Sequence, residues 1–175
     1  MLLKNMSNFQ NIEDYLPIIT SALIVDMVII LNMILGHINI KSLNSWYNKF
    51  GFLAVIADVL SIVIGIIISR FIYPYIWKEY SLINFIFLIC IVQITHDLLF
   101  YLFFNNIPRN KSAILDVFKD YVSEVGSTIL IADSLMMIST IIIASYISNM
   151  NTNNIIIILI SSLYILPYLL YSIPT

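Results

Sequence analysis

The stretch LAVIADVLSIVIGIIISRFI, Leu53 to Ile72, decides the fold class. A helix rises about 1.5 Å per residue, so roughly 20 residues cross the ~30 Å hydrocarbon core of a bilayer. Asp58 and Arg70 are the charges within it. In lipid an unpaired backbone N–H or C=O costs several kcal/mol, so a helix is expected despite the β-branched Ile and Val. A second stretch, TILIADSLMMISTIIIASYI from Thr128 to Ile147, is equally apolar and carries Asp133 at nearly the same place.

Five stretches of this kind occur, at about residues 16–36, 51–73, 82–104, 127–148 and 154–172. The chain of 175 residues is 61% hydrophobic and 10% charged, against about 25% charged in a soluble domain. The expected fold is all-α: a polytopic transmembrane helical bundle of five spans plus one interfacial amphipathic helix. It forms a single membrane domain over residues 1–175 whose first partner is the lipid bilayer. A net charge of −2 offers no field for nucleic acid. The single Cys90 forms neither an internal disulfide nor a zinc cluster. The lead-in NIEDYLP is acidic and Asp26 interrupts the first span, so that span is expected to be retained rather than cleaved as a signal peptide.

Lys and Arg in the short flanks set orientation. Lys41, Lys49, Arg109, Lys111 and Lys119 lie on one side and Lys4, Arg70 and Lys78 on the other. The bias predicts an exoplasmic N-terminus and a cytoplasmic C-terminus, with Arg70 snorkelling to its interface. Trp46, Tyr47, Tyr73, Tyr75, Trp77 and Tyr80 read as interfacial aromatic belts. In the third loop, SAILDVFKDYVSEV places Ile114, Leu115, Val117, Phe118, Tyr121 and Val122 on one helical face. This predicts an amphipathic helix at about residues 112–125 that covers the bundle end, or else docks a protein partner.

Asp58 and Asp133 lie about six or seven residues into their spans, or ~10 Å below one surface. Asp97, in a span of opposite direction, reaches a similar level, and Asp26 falls slightly deeper. Four carboxylates thus form a band at one height. A central Asp costs about 2.5–3.5 kcal/mol on insertion scales, so such groups are expected to face the bundle interior or a wet cavity. Gln93, Asp97 and Tyr101 are spaced four apart and form one stripe, while His96 points about 100° away and reads as a packing residue. The functional reading is a proton- or cation-binding site of Asp58, Asp97, Asp133, Asp26, Gln93, Tyr101 and His96, in a channel or transporter that could act as a homo-oligomer. The alternative is structural: neutral Asp, Gln, Asn32, Ser61 and Tyr101 tie helices together at about 0.6 kcal/mol per bond. No motif points to a cofactor or an enzyme, and the nature of any metal is left open.

The two opening stretches also align. Ile56-Ala57-Asp58-Val59-Leu60 matches Ile131-Ala132-Asp133-Ser134-Leu135, and small residues follow each Asp: Gly65 and Ser69, Thr140 and Ala144. This predicts a parallel duplication pairing spans two–three with spans four–five, and close helix approach at the small residues. Finally, QITHDLLFYLFF (Gln93–Phe104), DVFKDYVSEVG (Asp116–Gly126), IADSLMMI (Ile131–Ile138) and IADVLSIVIG together resemble a family of small integral membrane proteins of large nucleocytoplasmic DNA viruses. The resemblance implies a viral origin and no particular activity.

Overall fold

A computed structural model describes residues 3–173. Among these the chain is all helical, with seven α-helices and no strand. They are α1 (Tyr15–Ile34), α2 (Lys41–Phe50), α3 (Phe52–Ile76), α4 (Leu82–Asn105), α5 (Ala113–Val125), α6 (Thr128–Ile147) and α7 (Thr152–Leu170). A short 3-10 turn, Ile12–Asp14, leads into α1. Five helices are long and apolar enough to cross a membrane: α1 with its lead-in turn, α3, α4, α6 and α7. The expected spans therefore hold to within a few residues at each end.

The spans α1, α3, α4 and α6 close a ring, because α1 packs on α3 and α6, and α4 packs on the same two from the opposite side. Helix α7 lies outside the ring against α1, leaving Ile157, Ile160, Tyr164 and Tyr168 exposed. Mid-ring approach depends on small side chains. Gly65, Ser69, Thr140 and Ala144 are all buried. A Cβ on Gly65 would meet Met137 Cε at 2.8 Å and Gln93 Oε1 at 3.7 Å, so side-chain tips from α6 and α4 fill the space over Gly65.

Two amphipathic helices, α2 and α5, pack on each other at the end of the ring where α1 and α4 finish and α3 and α6 begin. The sequence predicts α5 as a cover and the first loop as an interfacial belt. That loop is the helix α2, and Trp46 and Tyr47 are buried rather than spread at the headgroups. Glu124 of α5 locks the pair: its carboxylate accepts from the backbone N–H groups of Lys41 and Ser42, both at 2.8 Å, and from the Ser42 hydroxyl at 2.6 Å. These are free donors of the first turn of α2, where a negative charge is favoured. Hydrogen bonding to the anion holds the Glu124 carboxyl below its usual range.

The opposite end is tied by Arg70, which does not snorkel. Its side chain is wholly buried, with Nη2 on Asp14 Oδ2 at 3.1 Å, on the Asn11 carbonyl at 2.9 Å and on the Asn8 carbonyl. The guanidinium also stacks over Tyr15 at 4.6 Å. Asp14, equally buried, takes a second cation from Lys4 at 3.0 Å. The segment before α1 is thereby strapped across the bundle, Met6 is fully buried, and Ser145 of α6 donates to the Lys4 carbonyl at 2.7 Å.

The expected duplication is corrected by this packing. It would make an α6–α7 pair resemble the α3–α4 pair, yet α7 packs on α1 and at most marginally on α6. The repeated unit is instead span, surface helix, span: α1–α2–α3 and α4–α5–α6. Each surface helix ends at a glycine with positive φ, Gly51 at 52° and Gly126 at 63°, a region that favours glycine. Asp58 follows the first glycine by seven residues (58 − 51) and Asp133 follows the second by seven (133 − 126). Asp26 lies eight residues before the end of α1 (34 − 26) and Asp97 eight before the end of α4 (105 − 97). The contacts α1–α3 with α4–α6, and α1–α6 with α3–α4, are the matching pairs of a pseudo-twofold arrangement.

Candidate functional site

Below the α2–α5 cover, α3, α4 and α6 surround a cavity of ≈ 940 Å³. Asp58, Asp97 and Asp133 all line it, together with Gln93, His96 and Tyr101. Of the expected site residues, six meet there and the seventh, Asp26, lies beside it. Asp26 is wholly buried and does not line the cavity. It receives the Tyr47 hydroxyl at 2.7 Å. The walls are otherwise mostly aliphatic and aromatic, and neither Lys nor Arg lines the cavity among the described residues.

The four acids are satisfied unequally. In the first half, Trp46 Nε1 donates to Asp58 Oδ2 at 2.9 Å while Tyr47 holds Asp26. These aromatic donors come from α2 because Leu43, Trp46, Tyr47 and Phe50 recur at spacings of three and four, a helical signal present in KSLNSWYNKF. Burial pushes the Tyr47 phenol well above its ordinary value, and the Asp58 and Asp26 charges push the same way. Tyr47 therefore keeps its proton and remains a donor.

In the second half, Gln93 Nε2 donates to Asp97 Oδ1 at 2.7 Å, and His96 Nδ1 lies 3.2 Å from that oxygen. The expectation that His96 points away is thus corrected: its ring meets the carboxylate of its neighbour Asp97, and both line the cavity. His96 also stacks along Phe100, with centroids 6.0 Å apart. Tyr101 does not extend the Gln93–Asp97 pair; its ring meets Phe104 edge-on at 5.6 Å. Asp97 Oδ2 is buried and makes no hydrogen bond, and Asp133 makes none among the described residues. Tyr121 of α5 lines the same space. Burial pushes its phenol up, with Asp133, Asp58, Asp97 and Glu124 adding their charges.

Asn32 and Ser61, expected to tie helices, bond locally instead: Asn32 Nδ2 to Val28 O at 2.8 Å, Asn32 Oδ1 with His37 Nδ1 at 3.2 Å, and Ser61 Oγ to Asp58 O at 3.1 Å. Polar ties between elements here come from Trp46 and Tyr47. Among the described residues no group of three or more His, Cys, Asp or Glu side chains is placed to hold a metal ion. No family model, curated protein or solved structure matches the chain, so the likeness to viral membrane proteins rests on its sequence stretches alone. The fold and site define a membrane-spanning helical bundle with buried Asp residues held by hydrogen bonds and an ion pair.

Proposed function

We propose that this bundle takes up protons or small cations from one face of the bilayer into its acidic cavity. One observation carries the reading: carboxylates from three separate spans, Asp58, Asp97 and Asp133, line a single cavity that no Lys or Arg lines among the described residues. Ionisable side chains at membrane depth are costly, and such placement suits a cation pathway. The close approach at Gly65, Met137 and Gln93 supports access from one side only. The Lys/Arg bias supports a cytoplasmic position for that side.

The test is flux. Purified protein in liposomes is compared with Asp58→Asn, Asp97→Asn and Asp133→Asn for proton and alkali-cation movement. Wild-type flux above protein-free vesicles, reduced at least about tenfold in the variants, is the expected result. Background flux in all four folded proteins overturns the reading. A second, architectural reading draws on the Tyr47–Asp26 and Trp46–Asp58 bonds, which tie α2 to α1 and α3. Under it the chain is a structural or assembly protein of a membrane, a role that the resemblance to viral membrane proteins suits. It predicts that background flux result.

A further inference from the structure

A groove at the Arg70 end of the bundle has the opposite chemistry to the acidic cavity. It encloses ≈ 400 Å³ between the strap before α1 and the C-terminal end of α3 with the loop that follows. Asn8 and Gln10 line it from the strap, and Lys78 lines it from the loop. Asn8 Oδ1 is already used, because it accepts the Gln10 N–H at 3.1 Å. The amide group that Asn8 still offers is its Nδ2 donor. Lys78 adds an ammonium that makes no ion pair among the described residues. No Asp or Glu lines the groove among the described residues. Amide donors beside one cation, with no counter-charge in the groove, suit a ligand that presents anionic oxygen acceptors, as a phosphate ester does.

The other wall names the source of that phosphate. Phe71 and Tyr75 line the groove and are also 50% and 76% exposed on the flank of α3. Phe9 of the strap meets Phe71 edge-on at 5.5 Å, and Phe71 meets Tyr75 at 5.6 Å. One aromatic surface therefore runs from the strap onto the outside of a span. Trp77 lines the groove just past the end of that span, and Trp, Tyr and Lys at such a level sit among lipid headgroups. A single amphiphile reaches both walls, because its chains gain by covering the flank while its headgroup meets the donors. A soluble phosphate would use the polar wall alone. We propose that this groove binds a membrane phospholipid, its phosphate on Lys78 and the strap amides and its glycerol and first acyl carbons along Phe71 and Tyr75.

The test uses full-length protein made in bacteria, with Asn5 unglycosylated, in a maltoside detergent. The probes are dihexanoylphosphatidylglycerol, dihexanoylglycerol and inorganic phosphate. Trp77 fluorescence is the readout in a Trp46→Phe background, which leaves the indole of the groove alone because the chain has two Trp. Native mass spectrometry of the wild-type chain counts the lipid retained. The phosphatidylglycerol is expected to bind saturably, with dihexanoylglycerol and inorganic phosphate each at least about tenfold weaker. Lys78→Gln is expected to lower the affinity for the phospholipid about tenfold, and Lys78→Arg to keep it within about threefold. Lys111→Gln, at the other end of the bundle, leaves it unchanged. Lys78 and Lys111 are both exposed, so all three variants keep the wild-type thermal midpoint. Equal affinity for dihexanoylglycerol overturns the proposal, because the phosphate then contributes nothing. Equal affinity for inorganic phosphate overturns the lipid and leaves a simple anion site. An undiminished affinity in Lys78→Gln, or neither retained lipid nor a saturable response, overturns the groove as a phospholipid site.

Discussion

Tyr47 donates its hydroxyl proton to Asp26 inside a wholly buried contact, where the second Asp26 oxygen has no partner at all. Tyr47→Phe strips the remaining bond and is expected to cost about 1–3 kcal/mol, since a buried acceptor left unmet loses its desolvation free energy. Adding Asp26→Leu should recover most of that loss, because removing both partners leaves no orphaned group. Thermal unfolding of the single and double variants in nanodiscs checks both outcomes. Arg70 obeys the same logic with charges. Arg70→Ala leaves buried Asp14 short of a partner and is expected to cost about 3–5 kcal/mol, whereas Arg70→Met with Asp14→Leu should return much of it. Cysteine placed at Met6 in a Cys90→Ser background should then react with an aqueous maleimide only in the Arg70→Ala protein. Neither contact was legible in the sequence. Arg70 sits where a long side chain ordinarily snorkels. What buries it is a segment about sixty residues earlier that shows no periodicity.

The surface helices α2 and α5 depend on each other through Glu124, whose carboxylate caps the first turn of α2. Its folded pKa lies below the unfolded value of about 4.3. The contribution is therefore fully present above that value and is lost as pH falls through the folded pKa. Glu124→Gln should lower the thermal midpoint at neutral pH by an amount equivalent to about 0.5–1 kcal/mol, modest because the group is exposed. The gap to wild type should close as pH falls below the unfolded value and on through the lower folded one. A gap that persists at low pH would assign the loss to something other than the charge. At this scale α5 was readable, because its apolar residues recur over about a dozen positions. Helix α2 carries the same pattern over only ten residues, too few to outweigh the competing reading of Trp and Tyr as belt residues.

Across the whole molecule, α1, α3 and α4 separate Asn5 from Asn110, so the two asparagines face opposite sides of the bilayer. Single cysteines at these positions in the Cys90→Ser background should label from opposite faces with an impermeant reagent; labelling from one face would sink the five-span topology. The Lys/Arg bias predicts that, in an ER-derived membrane, the Asn5-Met6-Ser7 site would be glycosylated and Asn110-Lys111-Ser112 would not. Modification at Asn110 would reverse the orientation. Five crossings and their approximate ends were written in the chain, because apolar length and helical rise are local properties that lipid enforces. The packing order was not. Hydropathy alone does not tell a helix which neighbour to choose when every flank is equally apolar. Only the folded chain revealed that α7 stands outside the ring and that the repeat runs span, surface helix, span. The same holds for the acids: the sequence placed each along its span, but whether it meets an aromatic donor or lines the cavity depends on how α2 and α5 close over the ring. That closure is settled by contacts between residues as far apart as Ser42 and Glu124, a pairing that no local pattern encodes.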